Sequence, residues 1–133
     1  MSTPLPALTE ENHAYWTGGA RGELTIDRCV SCGHWLHPPG PICPVCHGTE
    51  ISPSAASGSG TVYSFTVNHQ RWHPDLAVPY VIVVVELDDQ AGLRLTTNLR
   101  DCPVESVHIG MRVRVLFEAH GEIHLPQFRP EAP

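Results

Sequence analysis

Four of the chain's five cysteines fall in one eighteen-residue stretch, CVSCGHWLHPPGPICPVC. They form two C-x-x-C pairs, Cys29 with Cys32 and Cys43 with Cys46, separated by ten residues. A two-residue spacing lets a tight turn aim both sulfurs at one point while the turn's backbone N–H groups donate to the thiolates. Three chemistries use such pairs. Disulfides would close only small strained loops, in a chain that shows no sign of secretion. A thioredoxin-like redox pair requires one C-x-x-C opening a helix in a βαβ unit, and neither pair has that context. Tetrahedral metal coordination uses all four sulfurs at once. Zinc is the expected metal, since closed four-cysteine cages are its common structural site; iron in a rubredoxin-like cage takes the same ligands, and spacing does not separate the two.

Four thiolates leave no open position at which water could be activated, so a metal held this way is scaffold rather than catalyst. Its binding free energy, on the order of 10 kcal/mol, replaces the hydrophobic core that so short a segment cannot build. His34, His37 and His47 lie nearby but are surplus to a four-sulfur site. Cys102 has no adjacent His-and-acid pattern to activate it and reads as an ordinary small thiol. The sequence contains no lysine. No side chain can therefore form a Schiff base, which excludes lysine-dependent aldolase chemistry.

The formal net charge is −6, spread along the chain: residues 1–59 hold two arginines against five acids, and the remainder six against nine. Affinity for a long polyanion comes from clustered cations that displace counterions, so this balance argues against a nucleic acid as partner. The N-terminus, MSTPLPALTEENHAYW, has neither the basic start nor the apolar run of a secretory signal, which sets a cytoplasmic expectation. The longest apolar run, Tyr80 to Val85, is far too short to span a bilayer, so no membrane role is expected.

The elements that must carry the cysteines are short. Thr9 can cap a helix over Glu10 to Thr17, stopped by Gly18. Glu23 to Arg28 alternates Leu24 and Ile26 with polar residues, as a half-buried strand does, and runs into the cysteine cluster. SPSAASGSG, residues 52–60, reads as a linker or wide turn, with a boundary near Ser57. Beyond it lie strands at Gly60 to His69, Tyr80 to Leu87, Leu93 to Leu99 and Met111 to Ala119, a fifth around Glu122 to Leu125, and one helical turn within Pro103 to Gly110. The chain is therefore expected to be mainly β. Five short strands fit a Greek-key barrel of the OB type, and a small open sheet or sandwich fits the same pattern. The expected divisions are an N-terminal helical segment (1–22), a ribbon (23–57) and an OB-fold domain (58–133).

In order, the helix ending in YW, GELTIDRCVSCG, PPGPICPVC, GSGTVYSFTVNH, PYVIVVVELDD, RLTTNL and IGMRVRVLFE cover nearly the whole chain. This succession resembles a family of acyl-CoA-associated proteins, formerly domain of unknown function 35, that join a rubredoxin-like zinc ribbon to a C-terminal OB fold. The resemblance implies metal ligands at Cys29, Cys32, Cys43 and Cys46 and carries over no catalytic residue. At His47 the chain departs from the glycine that many relatives have after the second cysteine pair.

The resemblance also implies a non-catalytic subunit that assembles with a thiolase-fold enzyme, a thiolase or aldolase, and helps shape the passage for an acyl-CoA. In some relatives the module accompanies a hydratase subunit. RWHPDLAVPY is most similar to relatives from sterol-degrading operons. On this reading the candidate partner- or CoA-binding residues are Trp16, Arg71, Trp72, His73, Tyr80, Arg94, Arg100, Phe128 and Arg129, the aromatics as anchors and the arginines as phosphate contacts. The alternatives are a single-stranded nucleic-acid binder, argued from fold analogy, and a rubredoxin-like electron carrier, which would hold iron.

Overall fold

The structure, a computed structural model, describes residues 4–131. Thr9 and Asn12 cap one another: the Asn12 N–H donates to Thr9 Oγ1 (3.2 Å) and the Thr9 N–H to Asn12 Oδ1 (2.7 Å). These side-chain bonds compete with helical ones, so residues 10–12 form turns and α1 spans only His13–Thr17. Gly18 keeps helical dihedrals and does not end the path. The chain continues through a 3-10 turn, Gly18–Arg21, and stops at Gly22, where φ is 71°.

β1 (Leu24–Cys29) is the centre of a three-stranded antiparallel sheet, flanked by β2 (Trp35–Leu36) and β3 (Ile51–Ala56). The expected linker is thus largely a strand: Ser52 to Ala56 pairs with Arg28 to Leu24. These small residues lie flat against β1, and the turn proper is Ser57–Gly58, with Gly58 at φ 77°.

Five strands form a closed barrel in the order β4-β5-β6-β8-β7: β4 (Ser59–Asn68), β5 (Tyr80–Leu87), β6 (Arg94–Leu99), β7 (Arg112–His120) and β8 (Ile123–Pro130). All neighbours are antiparallel except β6 and β8, which meet in parallel at Leu99 and Phe128. In β5, Val81, Val83, Val85 and Leu87 are buried while Ile82 and Val84 are half-buried, as suits a strand with neighbours on both edges. At Gly60 a Cβ would stand 2.6 Å from the Glu86 carbonyl oxygen, so the strands approach there only because the side chain is missing. Residues 103–110 form hydrogen-bonded turns instead of the expected helical turn, and Val107 tucks into the core.

Core packing joins the two sheets. Leu24, Ile26 and Trp35 from the ribbon lie in one buried cluster with Val62, Val83, Leu95, Val113 and Phe128 of the barrel. Tyr15 of α1 packs against the same cluster. At Gly19 a Cβ would fall 2.5 Å from His124 Cβ and 2.6 Å from Phe117 Cδ1, so glycine lets the N-terminal segment seat on the β7–β8 hairpin. Among the described residues no helix is long and apolar enough to cross a membrane.

Candidate metal centre and binding surfaces

Both cysteine pairs sit in the same backbone device. The Cys29 N–H donates to the carbonyl of His34, five residues on, and the Cys43 N–H to that of Gly48. The residue after each pair closes the turn: the Gly33 N–H donates to the Cys29 carbonyl and the His47 N–H to that of Cys43, both at 2.9 Å. These closing residues have φ of 82° at Gly33 and 63° at His47. His47 therefore occupies a left-handed position that glycine takes without strain.

The device brings the four sulfurs within 4.8 Å of one another, with Cys29 and Cys43 buried and Cys32 and Cys46 exposed. Across the pairs, Cys29 Sγ lies 3.5 Å from Cys46 Sγ and Cys32 Sγ 3.5 Å from Cys43 Sγ. A tetrahedral site with metal–sulfur bonds of about 2.3 Å needs sulfurs about 3.8 Å apart, so the donor set fits. The thiolates also have their N–H donors: Val45 donates to Cys43 Sγ and Gly48 to Cys46 Sγ, each at 3.4 Å. The backbone N–H of Cys46, assisted by Val45 against the opposing effect of burial, holds the Cys43 thiol down at about 7. That favours the thiolate form a metal requires. His34 and His47 contribute no ring atom to the four-sulfur cluster, and His37 stacks near Tyr15, ring centroids 5.1 Å apart.

The other candidates are dispersed. Tyr80 and Arg100 share a cleft of about 680 Å³ with Leu76, Ile82, Asn98 and Cys102. Arg100 is already engaged there, by Glu118 at 2.5 Å and Gln127 at 2.7 Å. Arg71, Trp72 and His73 lie in the β4–β5 connection whose later residues wall the cleft. Arg71 donates to the Leu76 carbonyl, and His73 Nδ1 accepts the Asp75 N–H. Trp72 is 76% exposed, its indole N–H held by Asn68 Oδ1 at 3.2 Å.

Trp16 is half-buried, edge-on to Tyr15 at 4.7 Å. Arg94 lies apart from the cleft, 3.7 Å above the Tyr63 ring and paired with Glu86. Arg129 is exposed on the outer face of β8. Phe128 is a correction: it is fully buried between the β6 and β7 partners Leu99 and Val115, and offers nothing to a partner.

Residues 16–52 match the ChsH2 rubredoxin-like zinc ribbon domain and residues 54–118 the ChsH2 C-terminal OB-fold domain. Against a solved Ltp2-ChsH2(DUF35) aldolase the chain superposes with a TM-score of 0.82 at 41% identity, covering 95% of this chain and 98% of that one. The chain belongs to the DUF35 family.

Relatives of this DUF35 chain include the probable enoyl-CoA hydratase alpha subunit of Thermomonospora curvata, 40% identical over 98% of this chain and 40% of that protein. Another is the 3-oxo-4,17-pregnadiene-20-carboxyl-CoA hydratase alpha subunit of Mycobacterium tuberculosis, 36% identical over 84% of this chain and 35% of that protein. The DUF35 chain thus spans well under half the length of these two relatives. All four cysteines, and the Trp35 and Gln90 contact between ribbon and barrel, fall inside the matched segments. β8 lies beyond them, although it completes the barrel.

Sequence reasoning missed Gln90, whose side chain ties the ribbon to the barrel at Trp35. Its only local signal was a polar residue in a DDQAG turn.

Proposed function

We propose that this DUF35 chain is a non-catalytic accessory subunit that assembles with a thiolase-fold acyl-CoA enzyme, a thiolase or an aldolase acting on steroid side chains, in the cytoplasm. The observation that carries the reading is the near end-to-end superposition on the DUF35 chain of an aldolase. The hydratase alpha subunits among its relatives support an acyl-CoA context and the pairing with a hydratase. In this reading the segments 1–22, 23–57 and 58–133 act as one unit, and the cleft that holds Tyr80 and Arg100 contributes to the acyl-CoA passage.

Cys29, Cys32, Cys43 and Cys46 hold a structural zinc. The metal would supply cohesion, not chemistry: it fixes the two turns and the sheet behind them. Co-purification from the native source tests the assignment, and a thiolase-fold enzyme is expected to come with the chain. The isolated chain is expected to turn over no acyl-CoA, with cleavage or condensation present in the reconstituted pair. Robust turnover by the chain alone would overturn the reading.

A further inference from the structure

In the β7–β8 ladder, Arg114 and Arg129 are direct partners. Opposed residues on one face of a sheet bring their Cβ atoms to about 5 Å, and like charges placed so repel. Both side chains are exposed, and a guanidinium does not shed its proton to relieve the repulsion.

The other arginines are occupied. Arg112, next along the same face of β7, is held by Asp88 at 2.6 Å and Glu131 at 3.4 Å. Arg21, Arg94 and Arg100 each pair with a glutamate. Arg28 and Arg71 donate to backbone carbonyls. The Arg114 side chain donates only to the neutral Ser59 hydroxyl, at 2.8 Å, and the Arg129 side chain has no hydrogen bond or ion pair among the described residues. In a chain with fourteen acids and eight arginines, two cations face each other on the barrel wall without a carboxylate.

Neither residue lines the 680 Å³ cleft. They stand on the outer surface of a ladder, where two forks can each grip a planar carboxylate in bidentate fashion but no wall encloses a small anion. A net charge of −6 opposes a nucleic acid. We infer that Arg114 and Arg129 dock an acidic patch on the surface of the partner protein, so that the repulsion stored in the free chain is relieved in the complex. The inference rests on the accessory-subunit reading and names one contact of that assembly.

The test uses the thiolase-fold enzyme that co-purifies with the wild-type chain, identified and then purified, against wild-type, R114E, R129E and R129K chains over a range of salt. Either reversal turns a like pair into an opposite pair, so it is expected to raise the chain's own Tm by about 1–4 °C. Either is also expected to weaken binding about tenfold or more and to flatten its salt dependence, while R129K keeps the wild-type salt dependence.

Unchanged affinity and salt slope for both reversals would overturn the inference alone. So would a lowered Tm accompanying lost binding, which would make the arginines structural, or equally charge-dependent capture of a single-stranded oligonucleotide. A wild-type chain that binds no thiolase-fold enzyme at any salt would instead bring down the accessory reading, and this contact with it.

Discussion

The side-chain amide of Gln90 completes a strand: its Oε1 accepts the Trp35 N–H at 2.9 Å and its Nε2 donates to the Trp35 carbonyl at 3.0 Å. β2 is two residues long and β1 pairs with one side of it, so its other edge would be unmatched. Gln90, in the turn between β5 and β6, supplies what a neighbouring strand would. Asp89 beside it accepts from the Ser57 N–H and hydroxyl, at 3.0 and 2.7 Å. One turn of the barrel thus grips the ribbon at Trp35 and again where the ribbon leaves it.

Replacing Gln90 with Ala leaves a donor and an acceptor of buried Trp35 unmatched, at a cost of about 2 kcal/mol. Urea unfolding is expected to show that loss, and hydrogen exchange a sharp rise in the rate of the Trp35 amide. An unchanged exchange rate would mean that the ribbon is oriented by its apolar contacts alone.

Cys43 has no exposed surface and lies at the heart of the donor set. Cys43→Ser is expected to drop bound metal well below one per chain and to unfold the ribbon, seen by elemental analysis and a lowered Tm. The wild-type preparation is expected to be colourless, with one zinc per chain. A red chromophore with stoichiometric iron would replace the zinc assignment.

The left-handed backbone at His47 sets up an unusual gain. His47→Gly is expected to stabilise the metal-loaded protein by up to about 1 kcal/mol, by removing the Cβ penalty in that conformation. Gly33→Ala at the matching position of the first pair is expected to cost a similar amount. Equilibrium unfolding with metal present measures both, and the opposite signs are the content of the prediction.

Burial raises the Tyr15 pKa above its ordinary value near 10, although part of the residue remains accessible. The unfolded chain ionises this phenol near pH 10 while the folded chain resists. Its contribution to stability is therefore intact below pH 10 and declines as pH rises past it. Tyr15→Phe is expected to flatten that alkaline decline when unfolding midpoints at pH 8 and 10.5 are compared. Equal slopes for the two proteins would show that the phenol is solvated.

Phe128 and Trp72 give a matched pair of truncations. Phe128→Ala removes a fully buried ring where three strands meet, and is expected to cost about 3–5 kcal/mol. Trp72→Ala removes a ring that is mostly in solvent and is expected to shift stability by no more than about 0.5 kcal/mol. Calorimetry on both separates core from surface.

The clustering of the four cysteines was legible in the sequence, because two cysteine pairs state their geometry locally. The sequence carried the barrel strands with the same clarity wherever apolar residues alternate, as in Val113, Val115 and Phe117, or run unbroken, as from Val81 to Val85. It failed where strands show neither pattern. Ser52 to Ala56 has no large side chain to announce a face, and only pairing with β1 makes it a strand. Pro126 and Pro130 argue locally against a strand, so the sequence pattern ends the fifth strand near Leu125 and puts Phe128 outside it, although β8 runs over Ile123–Pro130. Reading Pro126, Phe128 and Pro130 as one face, opposite Phe117, Val115 and Val113, would have placed the ring inside. The Gln90 contact joins residues 55 apart, and nothing at either position encodes it locally.

α1, the first regular element, rests on β8, the last, and on the ribbon strand between. An early element is therefore tied to a late one, and this has a consequence during synthesis. As the chain leaves the ribosome, the cysteine pairs can collect their metal as soon as residue 48 is out. α1, made earlier, has only its ribbon contacts until the β7–β8 hairpin emerges. Through that interval Tyr15 and Trp16 are only partly covered, so the packing of α1 is completed late although its residues are made early.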